Sequence, residues 1–438
     1  MRSIRKLVIC GANGALGAAA GAAVAAAGVP TVLLARSPDR AEAGRARAVQ
    51  LARGQIAPGA ISCGTYASDL GHALADADLV LEAVSEDAAA KHGLLALIDR
   101  LRCAHTIVAT TAERLSIASL CAERSAGFRS NFVGIHLFRP PTALVGCELI
   151  AHPGSDPGAA AVVRDFLARC GREVVEVSDT PGFAGNRVAF RMLNEVAQLA
   201  EEHGVLFMDQ LLGPHTGRTL APLATIDLVG WATHKAIVDH LHGATDDIAH
   251  DQFRLPGYLQ RGIDHGLLGL DSRGRGGFYR VEGSGPAARR LVLDPATGDH
   301  RPAAELARPL PPFVEAMRTA IRSRPEHGYR GAMEVLCTAD GAAADLLRRI
   351  VLGYISYGLG LVGVVVDRPR DIDRILCFGF QWAPPSVLVD AIGPGRTIVL
   401  LERARLPVPR PVIDAALHQR ALFDEPRVDR AQFFRAAA

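Results

Sequence analysis

Through the first 180 residues, short apolar runs alternate with longer stretches in which apolar positions recur at helical spacing. KLVIC (6–10), PTVLLA (30–35), ISCGTY (61–66), LVLEAV (79–84), TIVAT (106–110), FVGIHLF (132–138) and REVVEVS (172–178) read as strands. Between them lie helical stretches such as GALGAAAGAAVAAAG (14–28) and DAAAKHGLLALIDRL (87–101). Strands and helices alternating in this way predict an open, mostly parallel, doubly wound α/β sheet with helices on both faces. Asp179-Thr180-Pro181-Gly182 reads as the turn that closes it. After that turn the pattern becomes helix upon helix, starting with PGFAGNRVAFRMLNEVAQLAEEHGV, a long helix expected to begin at Pro181.

Composition adds limits. At 438 residues and 49% apolar, the chain has room for two or three cores of ordinary size. A net charge of +2 gives no argument for nucleic acid or an anionic membrane as partner. Lysine is nearly absent, with Lys6, Lys91 and Lys235 against 45 arginines, a bias we ascribe to genomic base composition. The eight cysteines are scattered with no CxxC pair and no ligand-like histidine spacing, so free thiols in a reducing cytoplasm are expected, and no metal. Leu7 to Ala35 carries no charge and follows Arg2, Arg5 and Lys6, as an export signal would. Its glycines, Pro30 and dominant alanine speak against a signal peptide or a membrane span.

The first apolar run leads into GANGALG, which has the strand, turn, helix and strand context of a Rossmann dinucleotide site. Gly11 suits the tight turn, Gly14 lets the backbone approach a pyrophosphate, and Gly17 lets the helix pack closely, while the helix N-terminus offers N–H groups to phosphate. A small-residue helix packed on a sheet would look similar. The end of the second strand lacks the acidic residue that usually accepts from a ribose 2′-hydroxyl, and reads Ala35-Arg36. An arginine there can hold a 2′-phosphate, stack on adenine or face solvent, so NADP competes with NAD. Glu86 follows the LVLEAV strand at the sheet edge where ligands of such folds bind.

His136 precedes Glu148 by twelve residues, with Pro140-Pro141 between them. A helix cannot align these positions across the prolines, whereas two neighbouring strands joined by a turn can. A carboxylate on one ring nitrogen fixes the tautomer and raises the basicity of the other, as a general base for an alcohol proton requires. A buried histidine bonded to a glutamate for structure alone is the other reading of such a pair.

Taken in order, these motifs resemble the 3-hydroxyacyl-CoA dehydrogenase family over roughly residues 6 to 280. The resemblance implies His136 as base, Glu148 as its partner, and Asn186, in the NR of PGFAGNR, as a contact to the reacting end of the substrate. Its first helical turn is expected to point Asn186 back toward the sheet edge. Glu86 and Lys91 in EAVSEDAAAK match the glutamate and lysine near cofactor and substrate. APLATIDLVGWATHKAIVD (221–239) and GRGGFYR (274–280) resemble later family segments, with Asp227 expected to hold a helix start or a helix–helix turn. Pro222, Asp227 and Gly230 recur as Pro385, Asp390 and Gly393, which implies a second, degenerate helical domain without chemistry. The implied organisation is a Rossmann domain (1–180), a helical domain (181–283), a Pro-, Gly- and Arg-rich connector with some extended structure (284–330) and the second helical domain (331–430). Both helical domains would be all-α and similar to the C-terminal domain of 6-phosphogluconate dehydrogenase. The second is expected to pack on the first where a partner subunit sits in short dimeric relatives, giving a homodimer or a pseudo-dimeric monomer. No crotonase-like segment follows, so hydratase activity is not expected.

The family implies an acyl-CoA thioester substrate, an NAD(P) coenzyme and a place in fatty acid β-oxidation beside a thiolase or an enoyl-CoA hydratase. Besides Ala35, two positions depart from the family pattern: Arg139 replaces the asparagine of HFFNP near the nicotinamide, and Glu113 stands where a substrate-contacting serine is expected. Both change the polarity beside the reacting carbon. They favour, as alternatives, a related 3-hydroxy acid or alcohol dehydrogenase, or a silent relative that binds nucleotide or acyl-CoA.

Overall fold

A computed structural model describes residues 3–270, 275–285 and 288–435. Arg2, Gly274 of GRGGFYR, Pro286-Ala287 of the connector and the closing Ala436–Ala438 lie outside the described residues. The chain forms two compact units, Met1–Phe183 and Ala184–Ala438.

The first unit is built on an eight-stranded sheet in the order β3-β2-β1-β4-β5-β6-β7-β8. Its strands are β1 (Leu7–Cys10), β2 (Thr31–Ala35), β3 (Ile61–Thr65), β4 (Leu79–Glu82), β5 (Ile107–Thr110), β6 (Phe132–Leu137), β7 (Gly146–Ala151) and β8 (Glu173–Ser178). Every pairing is parallel except β6 with β7. All residues of β1, β4, β5 and β6 are buried, as continuous apolar runs are when helices cover both faces of a parallel sheet. Edge strand β8 instead exposes Glu176 and Ser178.

Helix α1 (Ala15–Ala26) is made almost wholly of alanine and glycine, which lets it lie close to the strands; a Cβ on Gly21 would stand 3.0 Å from the Leu33 side chain of β2. Helix α2 (Pro38–Leu51) starts with Ser37 as cap and Pro38 in its first turn, a pairing that suits the unsatisfied N–H groups there. Asp87 caps α3 (Ala88–Leu101), and Asp156 caps α4 (Pro157–Arg169). Asp179 of the closing turn accepts from the amides of Ile117 and Ala118 and from the Ser116 hydroxyl, at 2.8–3.0 Å, and so ties the turn to the segment after β5.

The second unit opens with α5 (Gly185–His203), four residues later than the sequence suggests. Gly182 and Phe183 hold φ of +69° and +51°, and a right-handed helix cannot run through two left-handed residues. There follow α6 (Val205–Leu211), α7 (Pro222–Val229) and α8 (Trp231–Ala244). The connector, expected to hold some extended structure, contains helix as well. A small antiparallel sheet joins β9 (Tyr279–Glu282), just before the connector, to β10 (Arg289–Leu293) and β11 (His300–Pro302) within it. Helix α9 (Pro312–Ser323) comes next, started by proline in its first turn and stabilised by a buried stripe of Val314, Met317 and Ile321.

The later helices repeat the earlier ones. Helix α10 (Ala342–Gly360) has the 19 residues of α5; after α11 (Pro369–Phe380), α12 (Pro385–Ile392) has the eight of α7, and α13 (Pro394–Arg403) follows it as α8 follows α7. Each short helix starts with proline and ends at a left-handed glycine, Gly230 (φ +90°) or Gly393 (φ +97°). Carboxylates repeat too. Asp227 accepts from the amides of Phe278 and Tyr279 and from the Trp231 indole, at 2.7–2.9 Å, while Asp390 accepts from the amides of Leu422 and Phe423. Asp227 therefore anchors a returning segment to the α7–α8 junction; the start of α7 is held by Asp209, which accepts from Leu223 and Ala224. Helix α10 packs on α5, where Arg187 bonds Tyr357 (3.0 Å) and both engage Asp247. Gly353 of α10 leaves room for the Arg191 guanidinium, 2.8 Å from where a Cβ would stand.

Asp373 is the counterpart of Asp209 and is worse provided for. Asp209 also accepts from the Tyr279 hydroxyl, whereas Asp373 accepts a 3.3 Å bond from the Ser386 amide and its Oδ2 has no partner. Burial lifts Asp209 to about 6 and Asp373 to about 8, nearby Asp390 and Asp371 adding to the latter. The folded state thus holds a proton on Asp373 that the unfolded chain releases near pH 4, so stability falls as pH rises between those two values and levels off above about 8. Asp373→Asn removes this penalty. Its Tm should exceed that of the parent by a margin that widens from pH 5 to 8, reaching several degrees; a pH-independent margin in thermal melts would mean that the carboxyl titrates normally.

Candidate active site

The antiparallel β6–β7 pair explains the twelve-residue spacing. Register places His136 directly opposite Glu148, with the chain reversing about Thr142 where Pro140-Pro141 ends β6. Cross-strand neighbours have their Cβ atoms about 5 Å apart, and here the side chains meet with Nδ1 2.5 Å from Oε2. Both are buried, and the imidazole packs against the rings of Phe138 and Phe183 at centroid distances of 4.7 and 5.9 Å. Burial lowers the imidazole's pKa, but the hydrogen bond and charge of Glu148 outweigh it, Glu113 acting in the same sense and Arg139 against; the net direction is upward. Another buried imidazole, His152, is taken up by the Gly154 amide and the Arg129 carbonyl and is structural.

The glycine turn lies where strand order reverses, between β1 and β4. Gly11 has φ +106°, and a Cβ there would lie 2.3 Å from the Ala83 carbonyl oxygen. One on Gly17 would lie 2.5 Å from the Gly11 oxygen, so this glycine packs the helix on the turn itself. At Gly14 such a Cβ would lie 3.3 Å from the Gly11 oxygen and 3.8 Å from the Ala83 oxygen, which makes the start of α1 the most open of the three positions. That open cradle, with free amides in the first helical turn, fits a pyrophosphate. Arg36 is exposed at the carboxyl end of β2, one residue after buried Ala35.

Lys91 is fully buried, and the residue that holds it is one the sequence reading passed over. Glu82, last in β4, takes the ammonium on both carboxylate oxygens at 3.0 Å, and also accepts from the Thr110 hydroxyl (2.6 Å) and the Val84 amide (2.7 Å). Glu82 opens EAVSEDAAAK and ends the apolar LVLE run, and a glutamate there facing a lysine nine residues on was the available signal. Glu86 lies 3.6 Å from Lys91 and accepts the amides of Glu113 and Arg114, each at 2.9 Å. Glu113 in turn bonds Arg139 at 2.7 Å. The structure therefore brings Gly11, Glu86, Lys91, Arg139 and His136 to the carboxyl ends of neighbouring strands. Asn186 belongs to the second unit, buried in the first turn of α5.

Residues 6–180 match the family model described as 3-hydroxyacyl-CoA dehydrogenase, NAD binding domain, and residues 182–280 match that of the 3-hydroxyacyl-CoA dehydrogenase C-terminal domain. The chain belongs to the 3-hydroxyacyl-CoA dehydrogenase family. A probable 3-hydroxyacyl-CoA dehydrogenase of Deinococcus radiodurans is 32% identical over 295 residues, covering 63% of this chain and 83% of that protein. One of Bacillus subtilis is 28% identical over 341 residues, 77% of this chain, which spans only 41% of that relative's length. The crystal structure of an Escherichia coli 3-hydroxybutyryl-CoA dehydrogenase superposes with a TM-score of 0.68 over 95% of this chain and 99% of that one; at 19% identity this shows the fold alone. All eight cysteines are free. Among the described residues no helix is long and apolar enough to cross a membrane, and no group of three or more His, Cys, Asp or Glu could hold a metal ion.

The three glycines separate by what a methyl group would strike. Gly14→Ala should cost clearly less stability than Gly17→Ala and lose roughly tenfold or more in NADH affinity by fluorescence titration. Gly17→Ala should cost about 1–3 kcal/mol of stability by overpacking. Equal melting losses in both would refute the assignment of Gly14 to the coenzyme.

Proposed function

We propose that the chain interconverts (3S)-3-hydroxyacyl and 3-oxoacyl thioesters of coenzyme A. The observation that carries this is the in-register, buried His136–Glu148 hydrogen bond at the carboxyl edge of a sheet that also carries the open glycine turn. With Nδ1 engaged by Glu148, Nε2 is the nitrogen left to take the C3 hydroxyl proton, and Glu148 stabilises the imidazolium that forms. Asn186 is assigned to position the hydroxyl or thioester oxygen. Gly11, Gly14 and Gly17 would hold the coenzyme's pyrophosphate at the start of α1. The coenzyme held there would supply the hydride acceptor or donor for C3. Lys91, its charge held by Glu82, acts on Glu86 and through it on the loop carrying Glu113.

NAD is the coenzyme that the family's NAD-binding domain supports, while Arg36 and the missing carboxylate at Ala35 favour measurable use of NADP as well. We further assign the second helical domain to replace, within one chain, the contact a second subunit would make on α5, and place the reaction in β-oxidation beside a hydratase or a thiolase. A related 3-hydroxy acid or alcohol as substrate is the second reading, favoured by the ion pair of Arg139 and Glu113 close to the imidazole.

Acetoacetyl-CoA should oxidise NADH, followed at 340 nm, and NADPH more slowly. His136→Ala should lose about 10²–10⁴ in turnover with nucleotide affinity nearly intact. Equal loss of nucleotide binding would remove the role given to His136, and wild-type protein inert with both coenzymes would turn the choice to the second reading.

A further inference from the structure

Both family departures near His136 are charged, and they meet. Arg139 comes two residues after the end of β6 and three after His136; Glu113 lies in the loop after β5, the adjacent parallel strand. Their 2.7 Å contact joins a guanidinium whose side chain is 53% exposed to a carboxylate only 13% exposed. The main chain that carries Glu113 is held, because its own amide and that of Arg114 are bonded to Glu86. The charged groups acting on the imidazole are Glu148 from β7, Glu113 from the β5 loop and Arg139 from the chain beyond β6; Phe138 and Phe183 provide apolar walls.

We infer that Glu113 and Arg139 are a matched pair of positioning residues that sets the protonation of His136, each charge tolerated beside the imidazole because the other is present. An anion near a histidine favours the imidazolium and a cation disfavours it. Glu113 alone would add to Glu148 and leave the base protonated over more of the neutral range; Arg139 alone would work against the proton that the base must accept. Held together, the two charges largely cancel at the ring while keeping a polar, rigid wall beside the reacting carbon. The inference takes the function of His136 from the dehydrogenase reading, but the pairing itself stands on the geometry.

The test uses the full chain as Glu113→Gln, Arg139→Gln and the double variant. In oxidation of 3-hydroxybutyryl-CoA with NAD, kcat/KM rises with pH as His136 loses its proton. Arg139→Gln should move that rise to higher pH, so that the rate on the acid side falls roughly threefold, and Glu113→Gln should move it to lower pH with a rate gain of about the same size. The double variant should return the midpoint close to that of the parent. Midpoints that stay put in both single variants, or move in the same direction, would overturn the pair. The same proteins carrying ¹³C-labelled histidine, with the His136 resonance assigned by its loss in His136→Ala, report the imidazole directly by NMR titration. If the parent fails to turn over these thioesters, the dehydrogenase reading falls, and opposite displacements of that resonance in the two single variants would still uphold the pair, while unmoved or parallel ones would end it.

Discussion

Where Gly11 meets Ala83, two backbones pass at a distance no side chain could share. The turn after β1 must bend back over the end of β4 if α1 is to present its first amides at the sheet edge, and the left-handed φ of Gly11 supplies the bend. Gly17 then rests on Gly11 itself. This contact sets the height of α1 above the sheet, and with it the shape of the crevice between β1 and β4. The rest of the edge is arranged along the same line: Glu82 at the end of β4 and Glu86 beyond it, Glu113 beyond β5, His136 in β6 and Arg139 just past it.

Charge is distributed along that edge in pairs. A buried lysine is costly unless its partner has every remaining site satisfied, and Glu82 meets the condition by accepting from Lys91, Thr110 and Val84 together. The ammonium lies between Glu82 and Glu86, 3.0 and 3.6 Å away. Glu86 in turn uses one carboxylate oxygen to grip two successive amides. A loop with no regular structure of its own is held as firmly as a strand end.

Much of this was legible in the residues. Runs such as LVIC and IVAT are too short for helices and too apolar for a half-exposed strand, and they proved to be buried on both faces. The spacing of His136 and Glu148 around two prolines contained the register of a hairpin, because antiparallel pairing fixes the sum of partner positions. What could not be read depends on contacts distant in sequence. Glu82 looked like one more residue of a strand until Lys91 and Thr110 came to it. The late start of α5 follows from two left-handed residues, one of them a phenylalanine, for which composition gives no warning. The connector's helix was obscured by surrounding proline and arginine, although Val314, Met317 and Ile321 lie at helical spacing.

The repeated helices also bear on how the second unit is assembled. Helix α10 meets α5 through Arg187, Tyr357 and Asp247, groups that come from both copies. Between separate subunits such a contact would weaken with dilution, since its occupancy would follow mass action. Joined by the chain from residue 204 to 341, the same surfaces see one another at an effective concentration set by the tether and not by dilution. The ordered sheet and helix within this connector shorten its flexible reach further. The packing on α5, whose first turn carries Asn186, thus does not depend on protein concentration.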